Sequence, residues 1–149
     1  MHKNSPPRLI ALVGLPRSGK STLAAKYAQL GYAVVCADNV RLALHGQRFA
    51  PQAEPMVWAI TRIMVDALIL SGNKVVIDST NLTREQRKPW AVRGATFHIV
   101  RSSLVDCLKR AKKLGDGGIV PIIQRMARDA EPVLADEGSR TDQTYPIGG

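Results

Sequence analysis

Short apolar runs alternate along the chain with amphipathic stretches, and this alternation predicts an α/β fold. Apolar strands are predicted at residues 8–13, 33–38, 74–78 and 95–101. Helices are predicted at residues 18–30, 39–46, 56–70, 83–93, 103–114 and from 121 onward. Because strands alternate with helices, we expect parallel pairing through right-handed crossovers, which gives a three-layer α/β sandwich around a small parallel sheet.

Turn and capping residues mark where these elements begin and end. Thr83 and Ser103 are expected to cap helices, while Pro89 should bend or break the helix that contains it. A glycine-rich break follows at residues 115–118, and the tail from Asp136 is predicted to be loosely held. The chain is therefore read as one domain over residues 1–149, with a core at about 8–138.

Composition supports a single domain and bears on its cellular location. The 149 residues are 45% hydrophobic, which suits one globular core. The apolar runs fall short of the roughly 20 residues of a membrane span, and the basic start lacks the apolar segment of a secretory signal. Cys36 and Cys107 have neither disulfide nor metal-ligand spacing, so we expect buried thiols and a cytoplasmic location.

The segment GLPRSGKS, from Gly14 to Ser21, matches the phosphate-binding pattern G-x-x-x-x-G-K-[ST]. It follows a predicted strand and opens a predicted helix, which is the context this loop requires. Backbone N–H groups should converge on phosphate, with Lys20 reaching the β- and γ-phosphates and the Ser21 hydroxyl ligating Mg²⁺. The expected ligands are ATP and Mg²⁺. The candidate ATP-binding residues are Gly14, Leu15, Pro16, Arg17, Ser18, Gly19, Lys20, Ser21 and Thr22.

Two aspartates close the next predicted strands at the edge where α/β proteins bind ligands. Asp38 could cap the following helix, or it could accept the proton of an attacking hydroxyl beside Arg41, which could hold an anion. Catalysis is favoured because the phosphate loop shares that edge. Asp78 could begin a turn or support Mg²⁺ together with Ser21, and the metal role is favoured.

Basic residues supply the remaining candidates. Arg110 and Lys113 precede the glycine-rich break and could form a mobile lid that neutralises the transferring phosphoryl group; a solvated helix face is the alternative. Arg84 and Arg87 could bind phosphates of an acceptor. The net charge of +9 favours nucleic acid or another phosphorylated partner. Non-catalytic packing roles are expected for Trp58, Trp90, His45 and His98.

Three further segments carry a family resemblance: ADNVR, VVIDSTNLTREQRKPW and VPIIQRMARDAEP. With the phosphate loop, the chain from about Arg8 to Gly138 resembles the P-loop kinase domains of 5′-polynucleotide kinases, phage-type and bacterial. The resemblance implies a P-loop kinase fold with a mobile lid, and transfer of the ATP γ-phosphate to a 5′-hydroxyl of DNA or RNA. It also implies that Asp38 is the general base and that Arg41 contacts the acceptor's 3′-phosphate.

The chain departs from that family in three places. The lid arginine of the family aligns near Leu114, which leaves Arg110 or Lys113 to substitute. The family's aspartate lies one position closer to T-N-L than Asp78 does. Arg17 stands where a small residue is common, which adds charge beside the triphosphate.

Three functions remain open at this stage. The favoured one is an ATP-dependent kinase acting on 5′-hydroxyl ends of DNA or RNA. The second is a kinase for a small molecule, such as a sugar, nucleoside or antibiotic hydroxyl. The third is a nucleotide-binding protein without phosphoryl transfer.

Overall fold

The computed structural model describes residues 5–46 and 50–142. Its strands form one parallel sheet in the order β2-β3-β1-β4-β5. They are β1 Leu9–Val13, β2 Ala33–Cys36, β3 Val75–Asp78, β4 Thr96–Ile99 and β5 Arg140–Thr141. The helices are α1 Lys20–Gln29, α2 Ala37–His45, α3 Glu54–Leu70, α4 Arg84–Ala91, α5 Leu104–Lys113 and α6 Val120–Asp129. Single 3₁₀ turns occupy Pro51–Ala53, Gly117–Ile119 and Ala135–Glu137.

The central strand β1 is buried on both faces, and its alternating side chains enter two separate cores. Ile10 and Leu12 pack with Tyr27 of α1 on one face. The side chains of Leu9, Ala11 and Val13 belong to the core on the opposite face. Val65 of α3 and Trp90 of α4 complete that core. Helices therefore cover both faces of the sheet, and the predicted three-layer α/β sandwich is confirmed.

The second predicted strand is shorter than expected. Strand β2 ends at Cys36, and helix α2 begins at Ala37. Asp38 consequently lies in the first turn of a helix and not at the end of a strand. The sequence ADNVR contains no glycine or proline to mark a break between strand and helix, so the pattern alone could not place this boundary.

Helix α4 begins as predicted, and its proline does not stop it. The Thr83 hydroxyl accepts a hydrogen bond from the Gln86 N–H, and the Gln86 side-chain oxygen accepts one from the Thr83 N–H. This reciprocal pair satisfies two N–H groups of the first turn. Pro89 lies within the helix, which continues to Ala91. Trp90 is buried as expected, and its indole N–H donates to Oδ1 of Asn81 at 3.1 Å.

The predicted loose tail from Asp136 includes residues 143–149, which lie outside the described part of the chain. Up to residue 142, however, the C-terminal segment is not loosely held, which corrects the sequence-based expectation for those residues. It forms the turn Ala135–Glu137 and then β5, whose residues pair with β4. The Phe97 N–H donates to the Ser139 carbonyl at 2.8 Å. These backbone bonds extend the sheet by one strand, which a two-residue element is too short to signal in sequence.

A buried ion pair fastens this segment to α4. Arg87 is 0% exposed, and its guanidinium donates to Glu137 at 2.8 and 3.2 Å. It also donates to the carbonyls of Asn81 at 3.0 Å and Pro132 at 3.1 Å. Burial alone would raise the pKa of Glu137, but the hydrogen bonds from Arg87 and from the Leu134 N–H keep it below its ordinary value. The two charges are therefore compensated within the core.

A buried histidine makes stability depend on pH. His98 of β4 is buried, with its Nδ1 2.7 Å from the Tyr27 hydroxyl. Burial lowers the pKa of His98 below its ordinary value of 6.5, and the Asp142 carboxylate only partly offsets this. Because the unfolded chain then binds the proton more readily, the free energy of unfolding should be highest above that value and should decrease as the pH falls through it.

Urea denaturation at about pH 7.5 and about pH 5.5 tests this dependence. The variant His98→Gln should lose less stability between the two pH values than the unmodified protein does. An equal loss in both proteins would contradict a role for His98.

Among the described residues, no helix combines the length and apolar character needed to cross a membrane. Both cysteines are free thiols.

Candidate active site

The loop of residues 14–19 runs from the end of β1 to the start of α1 and is fixed at both ends. The Gly14 N–H donates to the Thr80 carbonyl, just after β3, at 3.0 Å. The Ser102 hydroxyl, beyond β4, donates to the Ser18 carbonyl at 2.8 Å. The loop is thus tied to segments beyond both strands that flank β1, at the edge of a parallel sheet where ligands bind.

This loop has the shape and the free donors of an anion site. Gly19 has φ 103° and provides no side-chain cap for α1. The first N–H groups of a helix have no intrahelical acceptor, so those of α1 are available to an anion. A Cβ atom on Gly14 would lie 2.8 Å from the Ser18 hydroxyl and 3.2 Å from Cβ of Val100, so a side chain at this position would crowd the loop. The Ser18 hydroxyl is buried without a hydrogen-bond partner in the described part of the chain. These features fit a bound phosphate chain.

Lys20, the first residue of α1, is held inside this loop. It is only 9% exposed, and its Nζ donates to the Leu15 carbonyl at 2.7 Å. Burial lowers the pKa of Lys20, and the Asp78 carboxylate is the largest influence in the opposite direction. A buried ammonium with a neutral carbonyl as its bonded partner would gain from an anionic phosphate.

Ser21 and Asp78 meet beside the loop. The Ser21 hydroxyl donates to Asp78 at 3.2 Å, which brings together the two residues predicted to support a metal. Burial raises the pKa of Asp78, and Lys20 partly offsets this. Within residues 5–46 and 50–142, no group of three or more His, Cys, Asp or Glu side chains could hold a metal by itself. One hydroxyl and one carboxylate fit Mg²⁺, which commonly takes few protein ligands and completes its shell with phosphate and water.

Asp38 presents its carboxylate to solvent from the first turn of α2. Its side chain is 64% exposed and accepts a hydrogen bond from Arg41 at 2.7 Å. The helix is capped by Cys36 without a side-chain bond, so Asp38 is not the cap. Cys36, at the end of β2, pairs in register with Asp78 of β3, so the first turn of α2 with Asp38 lies at the same edge of the sheet as Asp78 and the phosphate loop.

Arg41 is held by a second carboxylate that the sequence did not reveal. Glu54 accepts hydrogen bonds from Arg41 at 2.9 and 2.7 Å, and the guanidinium lies 5.6 Å from the centre of the Trp58 ring. The hydrogen bonds to Glu54 are the largest cause of the raised Arg41 pKa. The acidic start of α3 was the available signal, but the predicted helix began two residues later, at Met56. Arg41 is therefore fixed between the carboxylates of Glu54 and Asp38. Because Glu54 holds its guanidinium in place, Arg41 orients the Asp38 side chain.

Helices α5 and α6 lie on either side of the glycine-rich break that was predicted to act as a lid. They share a small core of Cys107, Ala111 and Ile123. Arg110 reaches the phosphate loop, where it donates to the Arg17 carbonyl at 3.1 Å and to the Ser102 hydroxyl at 3.3 Å. Lys113 is exposed at the end of α5. The structure thus brings Arg110 to the site, through a contact with backbone.

Arg84 and Arg87 are engaged elsewhere. Arg84 pairs with Asp136, and Arg87 forms the buried pair with Glu137 described above. A guanidinium with no exposed surface cannot receive an acceptor phosphate. The acceptor-binding role assigned to Arg87 from sequence is therefore corrected to a structural one.

The comparisons with known proteins place these features in a family. A family model described as an AAA domain matches residues 9–117. No curated protein sequence matches the chain significantly.

Solved structures share the fold. A chain of a Pnkp1/Rnl/Hen1 complex is 26% identical, with TM-score 0.64; the match covers 73% of this chain and 41% of the other. A chain of the Pnkp1/Rnl/Hen1 RNA repair complex is 22% identical, with TM-score 0.65, and the match covers 97% and 52%. A sugar kinase from a Janibacter species is 18% identical, with TM-score 0.68, over 91% and 84%. This chain therefore spans about half of the two Pnkp1/Rnl/Hen1 chains.

Proposed function

Since the chain belongs to the AAA-domain family of P-loop proteins, with residues 9–117 matched, we propose that it is an ATP-dependent kinase. The acceptor is a hydroxyl group, and the favoured acceptor is the 5′-hydroxyl of DNA or RNA. One observation carries the proposal: the exposed carboxylate of Asp38, paired with Arg41, lies at the same edge of the sheet as the phosphate loop that holds the buried Lys20. A binding protein would not need such a base.

Each residue of the site then has a chemical task. The N–H groups at the start of α1 and the Lys20 ammonium bind the β- and γ-phosphates of ATP. Ser21 and Asp78 would hold Mg²⁺, which would neutralise charge on these phosphates when bound. Asp38 accepts the proton of the acceptor hydroxyl while that oxygen attacks the γ-phosphorus in line. The new oxygen–phosphorus bond forms as the bond to the bridging oxygen breaks, and ADP leaves with that oxygen.

Two observations favour nucleic acid as the acceptor. The net charge of +9 favours the approach of polyanions and predicts a binding constant that decreases steeply with salt. A chain of a Pnkp1/Rnl/Hen1 complex, which a second structure describes as an RNA repair complex, is 26% identical to this protein. Both observations support a polynucleotide acceptor.

A small-molecule acceptor has one observation in its favour. The Janibacter sugar kinase is matched over 84% of its own length, so its size is close to that of this chain. The same base and phosphate loop would serve that reaction. If small hydroxyl compounds inhibited phosphoryl transfer and oligonucleotides did not, the small-molecule acceptor would be favoured.

Transfer of label tests the proposal directly. The protein is incubated with Mg²⁺ and γ-labelled ATP, and with 5′-hydroxyl DNA or RNA oligonucleotides. We expect label at the 5′ end, strongly reduced in Lys20→Ala because the loop loses its ammonium. The matched control is Lys26→Ala, which removes an exposed lysine from the same helix and should retain transfer.

Two results would redirect the proposal. Intact ATP binding without labelled oligonucleotide would move the acceptor to a small molecule. ATP binding without transfer to any hydroxyl compound would leave a nucleotide-binding protein and would contradict the assignment of Asp38 as base.

A further inference from the structure

Arg17 occupies a backbone position that favours glycine. Its φ is 65°, and among the described residues the other non-glycine with positive φ is Asn81. A left-handed conformation is unfavourable for an arginine because Cβ crowds the following carbonyl. Backbone strain of this kind occurs chiefly where the side chain has a function.

The Arg17 side chain reaches from the phosphate loop to the glycine-rich break between α5 and α6. Its guanidinium pairs with Asp116, and the two side chains are 29% and 28% exposed. Its Nε is buried and has no hydrogen-bond partner among the residues that the structure describes. The charge of Arg17 is thus partly desolvated, and part of its hydrogen-bonding capacity is unused.

A second arginine near this loop, Arg110, is bonded to two neutral groups. Arg110 donates to the carbonyl of Arg17 and to the Ser102 hydroxyl. It therefore supports the backbone of Arg17, while the guanidinium of Arg17 itself remains available for exchange between partners.

We propose that Arg17 recognises the terminal phosphate of the bound nucleoside triphosphate, and that Asp116 holds its guanidinium when that phosphate is absent. The inference rests on the proposed function and deepens it, because it names the lid-facing cation of the same site. Guanidinium binds carboxylate and phosphate oxygens with similar planar geometry, so one can replace the other.

The backbone of Asp116 is held by two hydrogen bonds, so its carboxylate stays beside Arg17. Its N–H donates to the Ala111 carbonyl at 2.8 Å, and its carbonyl accepts from the Ile119 N–H at 3.1 Å. The backbone of Asp116 is therefore fixed at the junction of α5 and the turn that precedes α6. The carboxylate is a fixed competitor for the guanidinium, and a γ-phosphate must outcompete it.

Equilibrium titrations with ADP and with a non-hydrolysable ATP analogue, both with Mg²⁺, test the inference. Arg17→Gly should weaken binding of the triphosphate about 10- to 100-fold, the value of a charge-assisted hydrogen bond, and should change ADP binding little. Glycine suits the positive φ, so the variant should fold, and a thermal melt verifies this. Asp116→Asn should strengthen triphosphate binding because the competing charge is removed.

The matched control is Lys109→Ala, which removes an exposed positive charge from α5. It should leave the ratio of the two affinities unchanged. If Arg17→Gly weakened the binding of both nucleotides equally, or of neither, Arg17 would only hold the segment that contains Asp116. The inference would then be overturned. Since no acceptor is present, the wrong choice of acceptor in the proposed function would not alter this result.

Discussion

Replacing Asp38 by Asn should lower the rate constant of phosphoryl transfer by about 10²- to 10⁴-fold, the contribution of a positioned general base. The amide keeps the shape of the side chain and can still face Arg41, but it cannot accept the proton of the acceptor hydroxyl. ATP affinity should change little because Asp38 lies outside the phosphate loop. Single-turnover transfer from γ-labelled ATP, with nucleotide binding measured separately, gives both quantities.

Asp129→Asn is the matched control for this experiment. Asp129 is exposed at the end of α6, and its replacement removes the same charge from the protein without touching the site. It should transfer phosphate at the unmodified rate. Full turnover by Asp38→Asn would remove the proposed base and leave positioning alone as the source of catalysis.

Breaking the Arg87–Glu137 pair should have the largest effect on stability. Replacing one partner leaves the other charge buried without compensation, which costs about 3–5 kcal/mol. That is a large share of the roughly 5–15 kcal/mol by which domains of this kind are stable. Arg87→Met and Glu137→Gln should each lower the free energy of unfolding by such an amount in urea denaturation.

Two further variants make the test specific. In the double variant Arg87→Met with Glu137→Met neither charge remains, so a substantial part of the lost stability should return. Arg84→Ala removes an exposed arginine from the same helix and should change stability little. A loss in Arg87→Met no greater than that in Arg84→Ala would mean that the buried pair is not structurally important.

The sequence was sufficient for features that depend on local pattern. The phosphate loop, the β1 strand before it and the Thr83 cap each follow from a short run of residues with a known physical requirement. Asp78 and Ser21 could be paired in advance because strand ends and helix starts converge at one edge of a parallel sheet.

Features that depend on distant partners could not be predicted in this way. Arg87 looks like an exposed helix residue until Glu137, 50 positions later, is placed beside it. Glu54 and Asp116 are likewise unremarkable acids in sequence, and only the fold brings them to Arg41 and Arg17. Periodicity reports which face is apolar, whereas ion pairs across long separations depend on tertiary placement.

The fastening of the last strand has a consequence for synthesis of the protein in a cell. Until Glu137 has been synthesised, Arg87 has no counter-charge. Until β5 has been synthesised, β4 has no neighbouring strand on the side away from β1. A nascent chain that already carries the whole phosphate loop should therefore remain incompletely folded. Nucleotide captured at that stage would be held by a loop whose supporting core is not yet closed.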